Sequence, residues 1–223
     1  MRRMLAPFII GLIGSAILVG LGIWQVQRLA WKEAVLDEIE ARIAAEADDL
    51  PVLVDPETHR YQPVALEGEI GAGALRVLVS QKQVGAGWRI VSDFTTVEGR
   101  RVLLDRGFMP MTATDPLPGG GAARVTGNLH WPDDRNSATP ENDTVGNTWF
   151  ARDIGQMAEV LKTEPLLVIA RDVTPSAPGV QPLPVDTGGI PNDHLNYAVT
   201  WFSLAAVWLA MTGVWMRRRL KEG

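Results

Sequence analysis

Apolar positions in this chain gather into two unbroken runs near its ends. The first, "LAPFIIGLIGSAILVGLGIW" from Leu5 to Trp24, has no ionisable side chain. About 20 helical residues cross the hydrocarbon core of a bilayer, so the run predicts a membrane span. The second, "YAVTWFSLAAVWLAMTGVWM" from Tyr197 to Met216, matches it. A cleaved signal peptide competes for the first run, but such apolar regions stop at about 7 to 15 residues and a small-x-small site follows them. Neither condition is met, and an uncleaved anchor is expected.

Between the runs the pattern changes twice. In "WKEAVLDEIEARIAAEADDL" the apolar Val35, Ile39 and Ile43 recur every fourth residue among charges, predicting a helix that Pro51 ends. Short runs rich in Val, Ile, Leu and aromatics follow, separated by Gly, Pro, Asp and Asn, which reads as strands and turns. The expected strands are Tyr61 to Ile70, Leu75 to Val84, Trp88 to Val97, Arg101 to Phe108, Arg124 to Trp131 and Leu166 to Val173, with a short helix from Ile154 to Leu161. The loop "TATDPLPGGGAA" and the segment "TPSAPGVQPLPVDTGGIPND" are rich in Pro and Gly, and the second reads as a flexible strap leading back to the membrane. The expected class is membrane α+β: two transmembrane helices flanking a small β-rich extracytoplasmic domain, barrel- or sandwich-like. The expected organisation is 1–27 first span, 28–193 outer domain with its initial helix and strap, 194–216 second span, and 217–223 basic tail.

Charge orients this layout. Of 21 basic residues in 223, six crowd the ends: Arg2, Arg3, Arg217, Arg218, Arg219 and Lys221. Without these and Glu222 the body keeps 15 basic against 25 acidic side chains, about −10, which argues against a nucleic-acid partner. "RRRLK" after the second span belongs in the cytoplasm by the positive-inside rule, and two spans return the chain to its starting side. Both termini are then cytoplasmic and residues from about 28 to 194 lie outside, in a bacterial periplasm or the equivalent space.

Little in the sequence points to bond-making chemistry. The chain has no cysteine, which removes disulfides, CxxC redox chemistry and thiolate metal sites. GxSxG and HExxH are missing, and "GGGAA" is not followed by GK[ST]. "FMPM" spaces Met109 and Met111 as soft Cu(I) would accept, but strand-end packing accounts for them equally. His59, His130 and His194 are far apart in sequence.

The mouth of the second span is more informative. On a helix starting near His194, the residues His194, Tyr197, Trp201, Ala205 and Trp208 form one stripe, extended by Trp215. An imidazole, aromatic planes and a small residue could hold a flat macrocycle along the helix, and imidazole is a common axial ligand of haem iron. An interfacial aromatic belt explains Tyr197, Trp201 and Trp215 as well, though not Trp208 near mid-bilayer. At the end of the first span, Gln25, Arg28 and Lys32 share one face, and Trp24 and Trp31 flank Arg28. The two cations could receive a cofactor's carboxylates or could snorkel to headgroup phosphates. Gly11, Gly14, Ser15 and Gly22 provide small residues for close helix approach.

Several segments together resemble the Surfeit-locus (Shy-type) assembly factors of cytochrome c oxidase. They are "LGIWQVQRLAWK", "YQPVALEGE", "VLLDRGFMP", "PENDTVGNTWFARDIGQMAEVLKTEPLLV" and "NDHLNYAVTWF", in the family's order and over nearly the whole chain. The resemblance implies a non-catalytic maturation factor for a haem–copper oxidase, placed in the inner (plasma) membrane of a bacterium. It also implies binding of haem a and help in placing it in oxidase subunit I, in company with haem a synthase or other assembly factors. The family's histidine falls on His194, expected as iron ligand, and its tryptophan on Trp201, expected to position the macrocycle beside Tyr197. Propionate contacts from Arg28 and Lys32 are an expectation from this chain alone. The chain departs from the family at Asp105, where Asn is common, and carries Asp193 directly before His194. A membrane-tethered scaffold working by protein contacts without haem is the rival reading; a membrane hydrolase is disfavoured by the missing motifs.

Overall fold

A computed structural model describes residues 2–81, 85–113 and 117–221, with side chains from Leu5 onward. The chain forms two compact units, 39–186 and the pair of segments 1–38 with 187–223.

The unit of 39–186 is a closed barrel. Its strands are β1 (Asp48–Asp49), β2 (Pro63–Gln81), β3 (Gly85–Thr96), β4 (Arg101–Pro110), β5 (Gly121–His130) and β6 (Leu167–Thr174). They run in the order β1-β2-β3-β4-β6-β5, and β5 returns to pair with β2. Pairings are antiparallel except β1 with β2 and β4 with β6. Such closure removes the exposed edges that an open sheet must protect, and it settles the barrel-or-sandwich alternative.

Closure depends on the length of β2. Its first half, Pro63 to Ile70, pairs with β5, and its second half, from Ala74, pairs with β3 after a register shift. Two strands were expected here, because "GAG" reads as a turn. The glycine at 71 serves close approach instead: a Cβ there would collide with the Asp93 carboxylate on β3. The strand therefore bends through a bulge and continues. Val84, the expected strand end, lies outside the described residues, as do Thr114 to Pro116 of the Pro/Gly loop and the last two residues of the tail.

Inward side chains from all five long strands fill the barrel, among them Val64, Phe94, Leu104, Val125, Leu129 and Val168. A second core lies on the outer face, where Leu75, Val91, Leu103 and Ile169 meet the helix α3 (Ile154–Leu161) and Trp149. The helix has the expected bounds for local reasons: the Asp153 side chain accepts from the Gln156 amide at 3.2 Å, and Lys162 closes the end in the left-handed conformation. Trp149, fully buried, runs beside the second half of β2, exchanging backbone hydrogen bonds with Arg76 and Leu78. Asn142 holds this segment by accepting from the Phe150 and Ala151 amides.

The first helix, α1 (Arg2–Ala44), ends before Pro51. Two side chains take up the Ile43 carbonyl, Asn128 Nδ2 at 3.0 Å and Arg171 Nη1 at 3.1 Å, which satisfies an acceptor the helix terminus leaves open. Asp48 and Asp49 then pair with Val64 and Ala65. Tertiary pairing thus overrides the helical propensity of "EADD". A single turn of helix, α2 (Pro56–His59), follows, capped by the Asp55 side chain.

The strap is pinned to the barrel at Gln181 and Leu183. Phe108 and Gln181 exchange backbone hydrogen bonds at 2.7 and 2.8 Å, and Arg89 Nη2 donates to the Leu183 carbonyl at 2.6 Å. Gly107, at φ +118°, lets the strap approach, because a Cβ there would meet the Gln181 carbonyl. Proline content made this segment look free, but Gln181 is paired with Phe108 on β4 and the Leu183 carbonyl is held by Arg89 on β3.

The other unit pairs the first part of α1 with α4 (His194–Lys221). Both helices are long and apolar enough to cross a membrane. Their polarity is inverted relative to a water-soluble helix: Gly11, Ser15, Gly22 and Gln25 are buried, whereas Leu12, Ile13, Ile17 and Ile23 are about half exposed. Small and polar groups inside with branched aliphatics outside is the arrangement of helices solvated by lipid.

Candidate functional site

The two helices of the membrane unit run antiparallel. Gly11 faces Thr212, Gly14 faces Trp208, Gly22 faces Phe202 and Gln25 faces His194. A Cβ at Gly14 would stand 2.5 Å from the Trp208 Nε1, and one at Gly22 would stand 2.7 Å from the Phe202 ring. Glycines are required there for contact between the helices. Trp208 donates its indole N–H to the Gly11 carbonyl at 3.1 Å, which explains the one tryptophan an interfacial belt does not. Of the expected stripe, Ala205 is buried in this packing, Trp201 is partly buried beside it and Tyr197 is 55% exposed.

His194 stands at the head of α4, where the Asp193 carbonyl accepts from the Tyr197 amide and starts the helix. Its Nδ1 lies 2.8 Å from the Gln25 Oε1. Gln25 is 8% exposed in an apolar span, and its carbonyl oxygen has this one partner among the described residues. An amide oxygen only accepts, so Nδ1 is the donor in this contact. The ring is thereby oriented through Nδ1, and Nε2 is the nitrogen that Gln25 does not engage. Gln25 is the residue that sequence reasoning missed. It was placed on a face with Arg28 and Lys32, but a buried amide needs a partner, and His194 was the available one.

Arg28 and Lys32 follow Gln25 by one and two turns on the same face of α1. The Arg28 guanidinium lies 3.8 Å over the Trp31 ring, a cation–π contact within its own helix, and Lys32 is half-buried. No hydrogen bond joins either cation to His194.

Residues 12–206 match the SURF1 family. The chain belongs to that family, whose members are cytochrome c oxidase assembly factors. Among its relatives, Surfeit locus protein 1 of Xenopus tropicalis is 31% identical, covering 83% of this chain and 68% of its own. The human protein of that name is 30% identical over 84% and 70%. A SURF1-like protein of Monosiga brevicollis is 30% identical over 84% and 79%.

Within the barrel unit, the family motif at "LLDRG" forms a buried ionic network. Asp105 is fully buried; its Oδ2 accepts from Arg89 Nε at 2.6 Å and lies 3.8 Å from Arg152 Nη1, and its Oδ1 accepts from the Gly107 amide. Arg152 also clasps Asp134 through Nε and Nη2, at 2.7 and 2.9 Å. Burial alone would raise the Asp134 carboxyl, but the bonded Arg152 outweighs it and holds the group below its ordinary range. Arg152 in turn is raised, its burial offset by Asp134 and Asp105. Asp105 thus supplies an anion between two guanidinium groups. His130 packs its ring 5.4 Å from that of Tyr61 and is lowered to about 4 by burial, then by Arg152 and Arg60. His59 is engaged in α2, its Nδ1 accepting from the Asp55 amide at 3.0 Å. Met109 is buried while Met111 is 48% exposed, so the two thioethers do not share an environment.

Proposed function

We propose that this SURF1-family chain holds haem a at the outer membrane face of its two helices and assists its placement in subunit I of a haem–copper oxidase. The observation that carries the reading is the Gln25–His194 hydrogen bond, which engages Nδ1 and leaves Nε2 as the other imidazole nitrogen at the membrane mouth. The residues fit such a cofactor: an imidazole oriented by Gln25, the half-buried indole of Trp201 two turns further along the same stripe, and Tyr197 exposed beside them. Bound haem a supplies the redox iron centre that the oxidase needs, and the chain's part is to bind, orient and release it. His194 ligates iron, Trp201 and Tyr197 flank the macrocycle, and Arg28 and Lys32 receive propionates. The apolar exterior of both helices keeps the isoprenoid tail in lipid. No substrate bond is made or broken. The layout assigned is a bacterial inner membrane with both termini cytoplasmic and the barrel periplasmic, where it meets subunit I, haem a synthase or other assembly factors.

The test is haem content and reduced-minus-oxidised spectra of full-length protein from cells that make haem a. Haem a in the parent that disappears in His194→Ala, at unchanged membrane abundance, supports the reading. Equal haem in both, or none in the parent, favours a scaffold that acts by protein contacts.

A further inference from the structure

One end of the barrel holds a buried cation with no acidic partner among the described residues. Arg106 is the extra residue of a β-bulge: Ile90 pairs with Gly107 and Val91 with Asp105, and 106 is left over between them. Bulges re-aim side chains, and this one places a guanidinium that is 5% exposed. Among the described residues its hydrogen bonds both leave from Nη1, to the Pro118 and Gly119 carbonyls at 3.0 and 3.1 Å. Nε is buried and has no partner among the described residues. The edge formed by Nε and Nη2, the side on which arginine clasps a carboxylate through two parallel bonds, is therefore unspent.

That guanidinium lines a cavity of about 170 Å³ with Val173, Ser176, Ala177, Val180 and Pro182, the last four supplied by the strap. Drug-sized sites begin at about 300 Å³, so this one has room for a single functional group and a short stem. Burial draws the Arg106 pKa below its ordinary value; a guanidinium stays charged in proteins, and here two neutral carbonyls on Nη1 are what offsets its desolvation. The Asp172 carboxylate stands on the wall, accepting from the Thr174 hydroxyl at 3.1 Å. Its charge disfavours a dianion more than a monoanion.

We propose that this end of the barrel is a binding site for a carboxylate on a short aliphatic stem, with Arg106 as its anchor. The carboxylate takes the Nε–Nη2 edge, and the stem lies against Val173, Val180 and Pro182. The site does not depend on the haem reading.

The test is titration of ¹³C-propionate into full-length, detergent-solubilised protein in carboxylate-free buffer, followed by NMR, with propionamide as the neutral match. Saturable propionate binding, at least about tenfold tighter than propionamide, is expected. Arg106→Gln should weaken it about tenfold or more, and Ala177→Trp, which fills the cavity while keeping the cation, should do the same. Competition by acetyl-Ala-Ala against its C-terminal amide identifies the source: an acid that outcompetes propionate assigns a peptide terminus, and one that does not assigns a small acid. Indistinguishable propionate and propionamide, or unchanged propionate binding in Ala177→Trp, overturns the proposal, and the second holds even where Arg106→Gln fails to fold.

Discussion

Gln25 and His194, 169 positions apart in sequence, meet at 2.8 Å across the two membrane helices. The amide oxygen engages Nδ1 and orients the ring, and outer partners of this kind change the metal affinity of a ligating histidine by about 10- to 100-fold when removed. Gln25→Leu is expected to lower haem retained per protein within that range, with His194 still present. Gln25→Glu keeps an acceptor for Nδ1 and should retain most of the haem. Pyridine hemochrome assay of the purified variants measures both, and equal haem in Gln25→Leu and the parent would rule out a positioning role.

The glycines of α1 are not equivalent. Gly14 lies against the Trp208 indole, whereas nothing is within 4 Å of where a Cβ would stand on Gly20. Gly14→Ile should force the helices apart at a cost of about 1–3 kcal/mol, the usual penalty for overpacking. Gly20→Ile adds an apolar side chain toward lipid and should be close to neutral. Unfolding of the two variants in graded denaturing detergent, read by tryptophan fluorescence, checks the contrast.

The elements read most easily from sequence were those specified by local patterning. Strands such as β4 and β6 show dense branched aliphatics between turn residues, and α3 carries its own caps at Asp153 and Lys162. What was missed depends on distant partners. The bulged continuation of β2 follows from the Asp93 carboxylate crowding Gly71, and the end of α1 follows from Asn128 and Arg171 reaching the Ile43 carbonyl. The same holds at the membrane mouth. His194 and Trp201 stood out by spacing and resemblance, but only the antiparallel pairing of the helices shows Gln25 as the partner and Trp208 as a packing residue.

Asp105 is the anion between Arg89 and Arg152, both of which are nearly buried. Removing one partner of such a group leaves unpaired charge in low dielectric and costs about 3–5 kcal/mol. Asp105→Ala should therefore destabilise the barrel by that order. Asp105→Asn keeps a hydrogen-bond acceptor for Arg89 Nε and should cost clearly less. Thermal melting followed by far-UV circular dichroism ranks the two, and equal losses would show that shape rather than charge matters at this position.

His130 makes barrel stability depend on pH. Burial and then Arg152 and Arg60 oppose the imidazolium and lower its folded pKa to about 4 from the ordinary 6.5. Between those limits the unfolded chain binds the proton that the folded one refuses, so stability is complete above about pH 6.5 and falls as pH drops toward 4. With allowance for solvent screening of a partly exposed ring, the loss is about 2 kcal/mol. Asp134 contributes in the same direction but lower on the scale, since its depressed carboxyl loses its stabilising effect only below the ordinary value of 3.8. His130→Phe preserves a ring beside Tyr61 and abolishes the titration. Its melting temperature should vary less than the parent's between pH 6.5 and 4.5, and parallel curves for the two proteins would locate the acid sensitivity elsewhere.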